Sequence, residues 1–279
     1  MKSDNSNFLY HTNNAKKYLN PKAGIALTVL IMLQFYLSAF IFSAMRVDFI
    51  NIIYLETISS YAIVVLSLIF FNSNSLELFR DHFTLWIIVV SCFLPIVWGG
   101  ERMVYKGILI ILGVFFATYS IVNRKNIKFP SLNSVFIGLG WSVCAVLIIA
   151  LIYALLDQTF VQSFPSNLST IIVNELINQL SFTSVPEEVC FRGLIFSFMV
   201  MNGYKEDKAF IIQAILFWSI HLGTIITNPT LFFIIIPLGT LFMTLIIKKY
   251  KMLYLSIIMH TFINVFTTVL VNVINRFLF

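Results

Sequence analysis

The sequence predicts an all-α, polytopic membrane protein, a bundle of eight or nine transmembrane helices, on three observations. The residues are 59% hydrophobic and only 11% charged, whereas soluble domains are roughly half apolar and a quarter charged. Long apolar runs recur between short polar breaks, and 29 phenylalanines contribute to them. The runs lack the every-second-residue alternation of membrane β-barrels, so their backbone amides must be satisfied within helices.

A hydrocarbon core of ~30 Å needs ~20 helical residues. Segments of that order occur at 24–44, 51–71, 83–98, 106–122, 133–156, 168–199, 208–226, 230–247 and 252–274. Nine spans is the primary count, with eight the nearest alternative. The 83–98 segment is short and closes on Pro95 and Gly99-Gly100, which reads as tilted or re-entrant. The 168–199 segment is long for one crossing, and Pro186 predicts a kink just ahead of two glutamates.

The polar leader, with Lys16, Lys17 and Lys22 before the first apolar run, is too long and too polar for a secretory signal peptide. It reads as a retained cytoplasmic tail. With the N-terminus inside, most lysines and arginines fall on the inner side, including Arg80, Arg124, Lys125, Lys128, Lys205, Lys208, Lys248, Lys249 and Lys251. Only Arg46, Arg102, Lys106 and Arg276 fall outside, as the positive-inside rule expects. The break at 123–130, with Arg124, Lys125, Lys128 and Pro130, divides the chain into a tail (1–23), an accessory transmembrane region (24–130) and a catalytic transmembrane domain (131–279).

The net charge of +6 follows from this topology and adds a weak attraction to anionic lipid headgroups. The phospholipid bilayer is therefore the expected partner. No basic stripe with interleaved aromatics points to nucleic acid. The three cysteines, Cys92, Cys144 and Cys190, each sit in an apolar run, which argues against a disulfide framework.

Three patterns break the apolar spans: Glu187-Glu188-Val189-Cys190-Phe191-Arg192, Phe217-x-x-x-His221 and His260-x-x-x-Asn264. Ionisable groups in lipid are costly, so such a cluster marks a working site by default. Residues four apart share a helix face, which pairs Glu188 with Arg192, Phe217 with His221, and His260 with Asn264. Arg192 can hold one carboxylate by pairing. Two adjacent carboxylates in unequal environments then serve as base and supporting acid.

Each piece has a plainer reading. A Glu–Arg pair at this spacing can be a buried ion pair that fixes helix packing, and a lone histidine on an apolar helix is usually a packing residue. Two of only four histidines beside adjacent glutamates favour a site. Two Glu and two His also offer metal-ligating atoms, but no His-Glu-x-x-His pattern occurs, so no metal or other cofactor is expected. Cys190, three residues from Glu187, reads as a small apolar residue, with an acyl-carrying thiolate as the sharper alternative. Glu56 and Glu175 match no motif, and Glu175 reads as a capping or interfacial residue.

In this order the motifs resemble the CPBP family of intramembrane proteases, which holds CAAX prenyl endopeptidases and bacteriocin-processing homologues. The resemblance covers roughly residues 165–275. It implies that Glu187 with His221 activates water and that Asn264 stabilises the oxyanion. It makes His260 a further hydrogen-bonding or proton-transfer group, and Glu188 with Arg192 the electrostatic support. The motif leaves position 190 free.

The expected activity is therefore a metal-independent glutamic endopeptidase acting on a membrane-associated peptide or protein. The composition, rich in Ile, Asn, Lys and Phe, resembles a bacterial cell-membrane protein more than one of the endoplasmic reticulum, which disfavours a prenylated substrate. The alternative keeps the site and changes the nucleophile: some family members are associated with N-acylation of lipoproteins, in which an amine attacks in place of water. A third reading is a binding or immunity protein that retains the motifs as packing elements.

Overall fold

The computed structural model describes residues 21–45, 49–70, 82–97, 102–122, 131–157 and 167–278. Every regular element among them is helical. Residues 1–20 of the expected tail and the expected 123–130 linker lie outside the described residues, as do Arg80 and Gly99-Gly100, while the last three residues of that tail already belong to the first helix.

The first half of the chain supplies α1 (Pro21–Met45), α2 (Phe49–Phe70), α3 (His82–Val97) and α4 (Met103–Val122). Helix α5 (Leu132–Leu156) follows, then a long interrupted helix α6 over 168–201, α7 (Glu206–Ser219), a one-turn α8 (Thr224–Thr227), α9 (Leu231–Tyr250) and α10 (Leu253–Leu278). Among the described residues, five helices are long and apolar enough to cross a membrane: α4, α5, α9, Ile50–Ile69 of α2 and Leu253–Phe277 of α10. Shorter apolar stretches lie in α1 (Ala23–Ser38) and α3 (Phe83–Val97).

Helix ends follow local chemistry. Ser131 caps α5 by accepting from Ser134 N at 3.2 Å, and Asn167 caps α6 through Thr170 N, each satisfying an orphan amide. Gly203, at φ +88°, makes the turn out of α6, a conformation glycine adopts without a Cβ clash. Helix α9 closes on Lys251 in the left-handed region, at φ 55°.

Eight of the nine expected spans each correspond to one helix, whereas the expected 208–226 span is broken. Helix α7 stops at Ser219, and the amides of His221 and Leu222 fall back on Trp218 O (3.1 Å) and Ser219 O (3.3 Å). This tightening to three-residue turns is a common way for a helix to end, and Gly223 and Asn228-Pro229 follow it. At 1.5 Å per residue the 14 residues of α7 rise about 21 Å.

Helix α6 is the axis of the bundle. Every residue from 184 to 198 is buried, and helices from both halves of the chain cover it. Phe35 of α1 packs on Phe191 (5.2 Å between centroids), and Tyr54 of α2 meets Phe182 edge-on at 4.9 Å. Ser91 of α3 donates to Ser181 O at 3.4 Å. Helix α5 runs along α10, joined by Ser134 and Tyr254 (2.7 Å) and by close approach at Gly138. Two ion pairs, Lys248–Asp207 (2.5 Å) and Lys251–Glu206, tie the start of α7 to the end of α9.

Small residues let membrane helices approach closely. A Cβ at Gly113 of α4 would lie 2.9 Å from Phe93 Cε2 and 3.0 Å from Cys92 Cβ of α3. Gly113→Leu should therefore destabilise the protein by about 1–3 kcal/mol through overpacking. Gly107→Ala, with nothing within 4 Å of the new carbon, should melt like the wild type in detergent. Identical melting of both variants would contradict the α3–α4 packing.

Candidate active site

The glutamate pair lies in a short α-helical stretch, Ser184–Glu188, between two π-helical turns at Gln179–Thr183 and Val189–Ile195. Ser184 N–H donates to Gln179 O and Phe196 N–H to Phe191 O, each five residues back. Thr183, at φ −121° and ψ −74°, marks where the regular path breaks. The expected irregularity near Pro186 is thus present as widened turns. The first opens the backbone at Phe182, whose carbonyl the Pro186 ring would meet in a regular helix. Such turns concentrate at functional sites.

Glu188 is the hub. Its Oε1 accepts from Arg192 Nη1 at 2.5 Å and lies 2.8 Å from His260 Nδ1, and its Oε2 accepts from Ser256 Oγ. The Glu188 and Arg192 side chains are wholly buried. When Glu188 is ionised it can only accept, which puts a proton on His260 Nδ1 and turns Nε2 toward Glu187.

Glu187 is held differently. Its Oε2 stands 3.7 Å from His260 Nε2, too far for a hydrogen bond. That buried oxygen has no hydrogen-bond partner among the described residues. The two adjacent carboxylates therefore occupy unlike environments, as the sequence leads one to expect.

Phe217 gathers the remaining groups. Its ring lies beneath the Arg192 guanidinium, 4.3 Å from Cζ to centroid, and 5.9 Å and 4.9 Å from the rings of His260 and His221. It also meets Phe191 edge-on at 5.3 Å. His221 lies beyond the end of α7, its Nδ1 2.9 Å from Phe217 O. This leaves Nε2 as the atom available to the cluster. Asn264, one turn along α10 from His260, donates from Nδ2 to Gln179 Oε1 at 2.8 Å.

Cys190 is fully buried within the apolar core. Glu56 of α2, a carboxylate from the first half of the chain, is among the charges that act on Glu187 and Cys190. Glu175 accepts from Gln179 Nε2 at 2.8 Å, so it is linked to the site rather than a simple cap. Among the described residues, no group of three or more His, Cys, Asp or Glu is arranged to hold a metal ion.

Two contributors escaped the sequence reading. Ser256 is one turn before His260, so extending the four-residue spacing backwards would have found it. Gln179 is eight residues before Glu187, and on a regular helix the two point about 80° apart. The extra residue of the π turn removes about 100° of that rotation, leaving them within about 20°. No sequence spacing announces this.

Residues 168–266 match the family model of type II CAAX prenyl endopeptidase Rce1-like proteins. The matched stretch contains all three motifs and runs from α6 into α10. Neither the curated proteins nor the solved structures gave a match to the chain.

Breaking a buried pair by removing one partner leaves an uncompensated charge and typically destabilises by about 3–5 kcal/mol. Arg192→Leu should accordingly lower the melting temperature sharply and reduce accumulation in membranes. The double variant Glu188→Leu/Arg192→Leu should recover much of the loss. If the double variant were as unstable as the sum of the singles, the pair would not be the source of the effect.

Proposed function

We propose that this chain is a multi-pass intramembrane endopeptidase of the glutamic type, acting on a membrane-associated peptide or protein without a metal ion. The observation that carries the reading is the contrast within the glutamate pair. Glu188 is saturated by Arg192, His260 and Ser256, whereas Glu187 keeps a buried acceptor oxygen without a donor among the described residues. The family match over 168–266 supports the same class of reaction.

In this reading Glu187 takes a proton from water as the oxygen attacks the scissile carbonyl, the task of a positioned general base. The second N–H of Asn264 Nδ2 stabilises the oxyanion, a role in which preorganised donors matter most. The protonated Glu187 then returns the proton to the departing amine as the C–N bond breaks, while His221 Nε2, an acceptor because Nδ1–H is committed to Phe217 O, orients the attacking water. His260, held by Glu188, faces Glu187 with its Nε2 from 3.7 Å. The Glu188–Arg192 pair holds this frame and exchanges no proton.

The catalytic unit we assign to 131–279. The distribution of lysine and arginine supports a cytoplasmic N-terminus, and the composition supports a bacterial membrane. The matched family is described by prenylated CAAX substrates, while the composition of this chain disfavours one. Paired quenched peptides, identical except for a prenyl group on the cysteine, separate these substrate classes directly.

On the peptide that is cleaved, Glu187→Gln should lower kcat by about 10²–10⁴-fold and Asn264→Ala by about 10²–10³-fold. His221→Ala should fall in the same direction as Glu187→Gln. Wild-type turnover by Glu187→Gln would sink the base assignment. A change in lipoprotein N-terminal acylation on gene deletion, with no cleavage lost, would replace hydrolysis by acyl transfer.

Cys190→Ser gives a separate check. A water mechanism predicts unchanged kcat, because the thiol is enclosed in the core. Loss of turnover in a variant of normal abundance would instead point to a covalent acyl-cysteine.

A further inference from the structure

Asn264 carries the oxyanion assignment, and a planar amide is useful in that role only if its orientation is fixed. An asparagine side chain has two torsions and presents either a carbonyl or an NH₂ to the same point in space. Something must choose between them. The structure contains a hydrogen-bonded series running from α6 to α10 that makes this choice.

Gln179, buried at 8% exposure, lies at its centre. Its Nε2 donates to Glu175 Oε1 at 2.8 Å, one turn back along α6. Its Oε1 accepts from Ser184 Oγ at 3.1 Å and from Asn264 Nδ2 at 2.8 Å. An ionised carboxylate accepts hydrogen bonds and donates none, so Glu175 fixes which end of the Gln179 amide faces it. Gln179 must then present its carbonyl to Asn264. Only the NH₂ of Asn264 can answer a carbonyl, so the asparagine is locked with Nδ2 toward Gln179. One N–H is committed there, and the other stays in the amide plane with no partner among the described residues.

We propose that Gln179 is a positioning residue of the site: it orients the Asn264 amide as an N–H donor, and Glu175 sets its polarity from one turn away. The π turn that begins at Gln179 is part of the device, because it brings Gln179 onto the face of α6 that carries Glu187. Neither Gln179 nor Glu175 touches the reacting atoms. This inference rests on the hydrolytic reading above, and the experiment below separates the two.

The test is a double-mutant cycle on full-length protein in detergent, using the quenched peptide that the wild type cleaves. Gln179→Met keeps the volume and removes both amide functions. It should lower kcat by about 10²-fold, the loss expected from a misplaced group, with KM changed less than about threefold. Asn264→Ala added to Gln179→Met should cost little more than either change alone, as residues acting as one unit are non-additive. Gln179→Glu, whose protonated form both donates to Glu175 and accepts from Asn264, should retain much more activity than Gln179→Met.

Where Gln179→Met does not accumulate, Glu175→Leu tests the same link from its far end. It should lower kcat, and that loss should vanish in the Asn264→Ala background. Multiplicative losses in either cycle would overturn the proposal, and so would a change confined to KM or equal activity of the Met and Glu variants at position 179. Glu187→Gln in the same assay reports on hydrolysis itself. If that variant alone were fully active, the base assignment would fail while the 179–264 coupling still gave its own answer.

Discussion

A guanidinium and a carboxylate with no access to water must satisfy one another, and whatever donors and acceptors remain must come from the surrounding helices. At Glu188 this requirement organises the protein. The pair with Arg192 is made within α6, and the carboxylate draws Ser256 and His260 from α10, while the guanidinium lies on the face of Phe217 from α7 with its Nε and Nη2 lacking a hydrogen-bond partner among the described residues. Three helices that lipid alone would not hold in register are brought to one ion pair. A buried ion pair adds little to stability compared with a good apolar fit. Its contribution here is to specify one arrangement, because moving α10 away from α6 would leave Glu188 without Ser256 and His260.

Glu187 depends on that arrangement without taking part in it. It is next in the chain to a saturated carboxylate and faces a histidine whose other nitrogen is already engaged. In the proposed mechanism the base is thus positioned by a neighbour that exchanges no proton. The π turns on either side of Ser184–Glu188 serve the same end. They widen the backbone around Pro186 and reset the helical phase, so that Gln179 and Glu187 share a face that a regular helix would divide.

The all-helical bundle was legible because apolar runs of membrane-spanning length have few other solutions. The motif residues were legible for a related reason, since Glu187, Glu188, Arg192, His221 and His260 are conspicuous where nearly every neighbour is a hydrocarbon. Ser256 and Gln179 were not conspicuous. Serine and glutamine in a membrane helix are ordinary, and their partners lie 68 and 85 residues away in sequence. The end of α7 at Ser219 was hidden because residues 215–220 are as apolar as a continuing helix. What stops it is the conformation of the Ile220–Gly223 turn. The prolonged α6 was visible as excess length, but not the two turns that make it useful.

The ion pairs of the bundle fall into two kinds that respond differently to the medium. Mobile ions screen charges they can approach, over about 8 Å at physiological ionic strength. The Lys248 and Asp207 side chains are 50% and 72% exposed, whereas Glu188 and Arg192 are at 0%. Added salt therefore weakens the clasp between α7 and α9 while leaving the central pair untouched. Helix α7 carries Phe217 and leads directly into His221, so the clasp at its first turn is the part of that helix's anchorage that salt can reach, while Glu188 stays fixed. Ionic strength acts on this site through the tether of a helix and not through the charges at its centre.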